Sequence, residues 1–172
     1  MAPEPRRSWL LPAAALVPIL AFAAAALAQP EAGKPASPIY GVTVPDGYRA
    51  WPLIAPALEG APLNELRAVL GNDVAVKAYA RGTLPFPDGT ILVKLAWQHV
   101  PSPDFEPATV PGRATTVQVM VKDAQRYPAT GGWGFGRFID GQPVDEAQHE
   151  TCFACHEARV KDRDFVFTRY AR

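Results

Sequence analysis

The clearest pattern in this chain is an alternation. In Ala114–Asp123 (ATTVQVMVKD), Val117, Val119 and Val121 fall on one side, and Thr116, Gln118 and Met120 on the other. A period of two predicts a strand with one apolar face. Thr90–Trp97 (TILVKLAW) is β-branched and aromatic, which predicts another strand. There Leu92, Lys94 and Ala96 share one face, opposite Ile91, Val93, Leu95 and Trp97. Trp133–Ile139 (WGFGRFI) predicts a third, in which Gly134 and Gly136 keep part of one face flat. Phe165–Tyr170 (FVFTRY) reads as a closing strand, while Asn64–Leu70 (NELRAVL) is too short to choose between strand and helix. Asn72-Asp73 reads as a helix start, with the helix ending at Gly82. A second short helix is expected over Thr151–Val160. Turns are expected at Pro45–Trp51, leading into a short helical piece, at Pro85–Gly89 and at YPATGG. The class that follows is α+β, a mainly antiparallel sheet with a few short helices.

Composition narrows this to one globular domain. The chain has 172 residues, 48% hydrophobic and 20% charged, enough to build a core. Seventeen basic residues balance seventeen acidic ones, so no basic stripe argues for nucleic acid. The 19 prolines favour loops and short elements. The first residues read as an export signal: Arg6 and Arg7, an apolar run from Leu10 to Ala26, then Ala26-Leu27-Ala28 as a cleavage site. An uncleaved anchor is the alternative, because the run nears membrane length. The expected organisation is a signal peptide over 1–28, a flexible Pro-rich tether over 29–38 and a folded domain over 39–172. The mature chain is then expected outside the cytoplasm, in the periplasm, with membrane contact only through the signal.

The only two cysteines lie in Cys152-Phe153-Ala154-Cys155-His156. C-x-x-C-H is the attachment motif of c-type haem: two thiols bond the vinyl groups, and the histidine binds iron. Export suits this reading. Other chemistries also use such residues. A redox dithiol is expected near a βαβ unit early in a domain, whereas this motif comes late, among expected antiparallel strands. A structural zinc site needs a fourth ligand, for which His149 is available. A plain disulfide is the third possibility. If haem is bound, its second axial position decides function, and the candidate ligands are Met120, His99 and His149. Met120, inside an alternating strand, reads better as core.

Seven stretches occur in order: PDGYRAW, ELRAV, FPDGTILVKLAW, VKDAQRY, GGWGFGRF, CFACH and DFVFTRY. Together they resemble the cytochrome P-460 and cytochrome c′-beta family over nearly all of residues 40–171. The resemblance implies a periplasmic, mainly β, usually homodimeric protein with one haem c and an open distal face. Its P-460 members oxidise hydroxylamine; its c′-beta members bind nitric oxide. On this basis Cys152, Cys155 and His156 hold the haem, with His156 the iron ligand. Lys94 matches a lysine that becomes covalently tied to the ring, and Arg67 matches a distal arginine. Gln118 stands where members can carry a glutamate that accepts protons. A glutamine only hydrogen-bonds, which argues against fast turnover. The expectation is therefore an oxidoreductase acting on hydroxylamine through Lys94, Arg67 and Gln118. Electrons would pass to a soluble cytochrome. Nitric oxide capture without turnover is the alternative, and plain electron transfer the third. Arg126, Arg137, Arg163 and Arg169 are candidates to pair haem propionates. Phe135, Phe138, Phe153, Phe165 and Phe167 read as core, one of which could wall the haem.

Overall fold

A computed structural model describes residues 33–171. The expected signal peptide and the first residues of the tether lie outside the described residues. Six strands form one antiparallel sheet whose spatial order is the chain order, β1-β2-β3-β4-β5-β6. They are β1 (Leu53–Glu59), β2 (Glu65–Gly71), β3 (Ile91–Pro101), β4 (Thr109–Lys122), β5 (Trp133–Ile139) and β6 (Gln142–Pro143). Helix α1 (Asp73–Arg81) lies between β2 and β3, and α2 (Glu146–Val160) follows β6. No helix among the described residues is long and apolar enough to cross a membrane.

The α+β expectation holds, and strict alternation makes the sheet two-faced. On one face Val93, Val119, Val121 and Phe138 pack with Val42 and Tyr127. On the other, Val69, Leu92, Phe135 and Trp133 pack with Ile54, Val166 and the α1 residues Ala75, Ala78 and Tyr79. Trp133 and Ile54 are fully buried, each worth about 1.5–3 kcal/mol of transfer free energy. The two strand glycines make room for this packing. A Cβ at Gly134 would lie 2.3 Å from the Tyr127 ring, and one at Gly136 would lie 3.1 Å from Val42.

Helix α1 starts and stops where its caps dictate. The Asn72 side chain accepts from Ala75 N at 3.0 Å and Ile91 N at 3.1 Å, and donates to Gly89 O at 2.8 Å. It therefore fixes both the helix start and the entry into β3. Gly82, at φ 65°, closes the helix in the left-handed region. Helix α2 begins at Glu146, earlier than expected, because Asp145 caps it through Gln148 N at 2.9 Å.

Three sequence expectations change. Asn64–Leu70 resolves as strand β2, held by ladders to β1 and β3. The end of the expected tether packs on the folded domain: Ser37 is 3% exposed, its hydroxyl donates to Phe135 O at 2.8 Å, and Ala36 bridges to Thr43. Residues 165–170 form no strand. Their carbonyls accept from side chains instead: Phe165 O from His156, Phe167 O from Arg163, and Thr168 O from Tyr79 and Arg163.

Candidate haem-binding site

Cys152, Cys155 and His156 all lie on α2, three and four residues apart, so one side of the helix presents them together. Both thiols are free; Cys155 is exposed and Cys152 half-buried. Burial pushes the Cys152 thiol up, and the Arg137 charge pulls it down. The His156 Nδ1 lies 2.7 Å from Phe165 O. A carbonyl can only accept, so Nδ1 carries the proton and Nε2 keeps its lone pair. The ring is fixed edge-on by Phe135 and Phe167, with centroids at 5.1 and 4.8 Å. Burial pushes His156 down from the usual histidine range; the Phe165 carbonyl opposes this and the Lys94 charge adds to it. A neutral imidazole with Nδ1 donated and Nε2 free is the form that binds a metal.

His149 is excluded from such a role. It is fully buried, its Nε2 accepts from Arg137 N at 3.1 Å, and its Nδ1 donates to Asp145 O at 2.9 Å. Both nitrogens are used, so it cannot be the fourth ligand of a zinc site. Among the described residues no group of three or more His, Cys, Asp and Glu could hold a metal ion. Met120 packs beside the core, opposite Leu92 and Phe135. His99 pairs with Pro111 in the outer part of β3.

The sheet supplies the opposing wall. Lys94 pairs with Val69 on one side and Gln118 on the other, and Gln118 pairs with Arg137. Arg67 pairs with Ala96, two residues along the same face from Lys94. Register thus brings Arg67, Lys94 and Gln118 onto one face and adds Arg137. Burial pushes Lys94 down to about 7. The Arg67 and Arg137 charges push the same way, against Glu65 and Cys152. Two strands across from Lys94, Arg137 N donates to His149 of α2 and Phe135 meets the His156 ring edge-on, so this face of the sheet lies against the motif helix.

Arg67 is held by Glu65, at 3.1 Å from its terminal nitrogen, and by Glu59. The Gln118 amide donates to Thr116 Oγ1 at 3.2 Å. Glu65 is a site residue that sequence reasoning passed over. It is buried and accepts from Thr115 Oγ1 at 2.6 Å. Thr115 reaches it because the β3–β4 register shifts between Ala96 and Trp97, leaving Thr115 without a ladder partner. Its neighbour Arg67 shares the period-two face with Glu65, and that was the available signal.

Of the four arginines considered for propionates, only Arg137 shares this face. Arg126 donates to Tyr40 O and Gly41 O, Arg163 to Phe167 O and Thr168 O, and Arg169 is exposed. The Arg137 Nε is buried and has no partner. A buried, unpaired guanidinium nitrogen wants an acceptor, and a haem brings two carboxylates. Two free thiols, one imidazole with Nε2 free and an orphaned cationic donor together fit a c-type haem.

Comparison with known proteins agrees with this chemistry. A family model described as Cytochrome P460 matches residues 45–168. No curated protein matches the chain.

Proposed function

Because the chain belongs to the cytochrome P460 family, a family of haem cytochromes, we propose that it is an exported mono-haem c-type oxidoreductase that oxidises hydroxylamine. We place it in the periplasm, as a homodimer that hands electrons to a soluble cytochrome. When bound, haem supplies a redox-active iron with a coordination position for a small nitrogen ligand. Cys152 and Cys155 would anchor the ring, and His156 would bind the iron through Nε2. The Phe165 carbonyl and the rings of Phe135 and Phe167 hold that imidazole in one orientation.

The observation that carries the enzymatic reading is Lys94. A half-buried amine on the sheet face that packs against the motif helix, pushed down to about 7, is about half neutral at neutral pH. A neutral amine is a nucleophile, which supports the lysine–haem bond that the family resemblance implies. Arg67, fixed by two carboxylates, keeps a guanidinium on the same face to orient a bound nitrogen species. Gln118 can donate to such a ligand but cannot take its proton.

A second reading, nitric oxide capture without turnover, rests on that last point. Glu65, the buried carboxylate on this face, is already engaged by Arg67 and Thr115 and does not replace a free base. The two readings separate in the purified protein. Oxidation predicts a tryptic peptide joining Lys94 to haem, a red-shifted and broadened ferrous Soret band, and steady hydroxylamine oxidation with a dye acceptor. An ordinary high-spin spectrum with an unmodified Lys94 peptide and no dye reduction would leave nitric oxide binding.

A further inference from the structure

We propose that the buried ion pair Lys122–Asp164 is a positioning device for the iron ligand. It holds the turn whose carbonyl binds His156, and so tunes that histidine from outside the site. The proposal rests on His156 as the iron ligand.

The connection runs through neighbouring residues. Lys122 ends β4 on the same face as Trp133, with its ammonium 5.1 Å from the Trp133 ring centroid. Its Nζ donates to Asp164 Oδ1 at 2.7 Å, to Oδ2 at 2.9 Å and to Gly131 O at 2.8 Å. Asp164 Oδ2 also accepts from Phe86 N at 2.8 Å. Both side chains are almost fully buried, at 7% and 9% exposure. Asp164 is thereby fastened to three separate parts of the fold: the end of β4, the Gly131 turn through the shared lysine, and the loop at Phe86.

What this fastening fixes is unusual. Asp164 and Phe165 are consecutive and both left-handed, at φ 51° and 63°. L side chains rarely adopt that region, and Phe has no side-chain polar group to favour it. The Phe165 ring lies where Gly131 has no side chain; a Cβ there would come within 2.2 Å of it. The turn is therefore held by the ion pair at Asp164 and by a matched glycine at Phe165. Its product is the Phe165 carbonyl, 2.7 Å from His156 Nδ1.

A buried ion pair is weak evidence for stability, because desolvation offsets its attraction. A geometric role accounts better for one that ends, through a single residue, on the metal ligand. A hydrogen bond from Nδ1 makes the imidazole a more basic ligand. Slackening the turn weakens that bond.

The test uses the haem-loaded protein and two variants, Asp164→Asn and the double variant Lys122→Met/Asp164→Asn. The double variant leaves no lone buried charge, so it serves if the single one fails to fold. Resonance Raman of the ferrous form reads the iron–histidine stretching band, and spectroelectrochemistry reads the midpoint potential. The expected result is a downward shift of the band and a higher potential in both variants. Asn72→Ala, which removes a helix cap elsewhere, lowers thermal stability and leaves the band unmoved. A folded double variant with the wild-type band and potential overturns the proposal. A wild-type protein with no iron–histidine band overturns the His156 assignment, and the proposal with it.

Discussion

The helix side and the sheet side of the site follow opposite rules. On the helix side the histidine nitrogens are matched one by one. His149 uses both of its own, and His156 uses one and leaves one. On the sheet side three basic residues, Arg67, Lys94 and Arg137, share a face with one buried carboxylate, Glu65. Lys94 yields its proton readily, and Arg137 keeps an orphaned nitrogen. The lesson is that satisfied groups hold geometry, whereas unsatisfied ones hold chemistry in reserve.

Breaking the helix side should have the largest effect. Cys152→Ala/Cys155→Ala is expected to abolish covalent haem, read as loss of the haem mass from the intact protein. The next largest change sharpens the sheet side. Gln118→Glu adds a carboxylate beside Lys94 and Arg137, and hydroxylamine oxidation should rise by roughly 10²–10⁴-fold, the usual scale of a general base. An unchanged rate removes the proton-acceptor argument.

The third test concerns the charge held off Lys94. Between about 7 and 10.5 the unfolded chain binds a proton that the folded chain refuses. Stability should therefore rise with pH through that window, by on the order of a few kcal/mol. Lys94→Met should flatten the slope, as read from urea midpoints at the two ends of the window. A lysine already bonded to haem gives no slope, and the bridging peptide then identifies it. The smallest effect belongs to the matched histidine. His149→Leu strands the Arg137 N–H and should cost about 1–3 kcal/mol of stability, while the haem stays attached. Loss of haem in that variant would mean that His149 does more than dock the helix.

How much of this was legible depended on which signal each feature leaves. Helix α1 was readable because Asn72 and Gly82 mark its ends, and β3, β4 and β5 because their alternation or composition is plain. The first strand was not: Leu53–Glu59 contains Pro56, which reads as a breaker and is tolerated because β1 is an edge. Phe165–Tyr170 has strand composition but forms no strand, and its carbonyls serve side chains. Within the site, C-x-x-C-H follows from spacing alone, whereas the pairing of Lys94 with Gln118 needed the register of β3 on β4. Thr115 does not follow from spacing, because a register shift overrides the parity count. The Phe165 carbonyl could not be foreseen, since any residue offers a carbonyl and only the turn makes this one special.

The order of the sheet has a consequence for how the protein comes to be made. Each strand meets only its neighbours in sequence, so the ladders can zip without a long search through the chain. Helix α2 comes after all of them and rests on β5. The wall bearing Arg67, Lys94, Gln118 and Arg137 can thus be assembled before the thiols arrive. Helix α2 then closes against a prepared wall, with Cys155 still exposed on it.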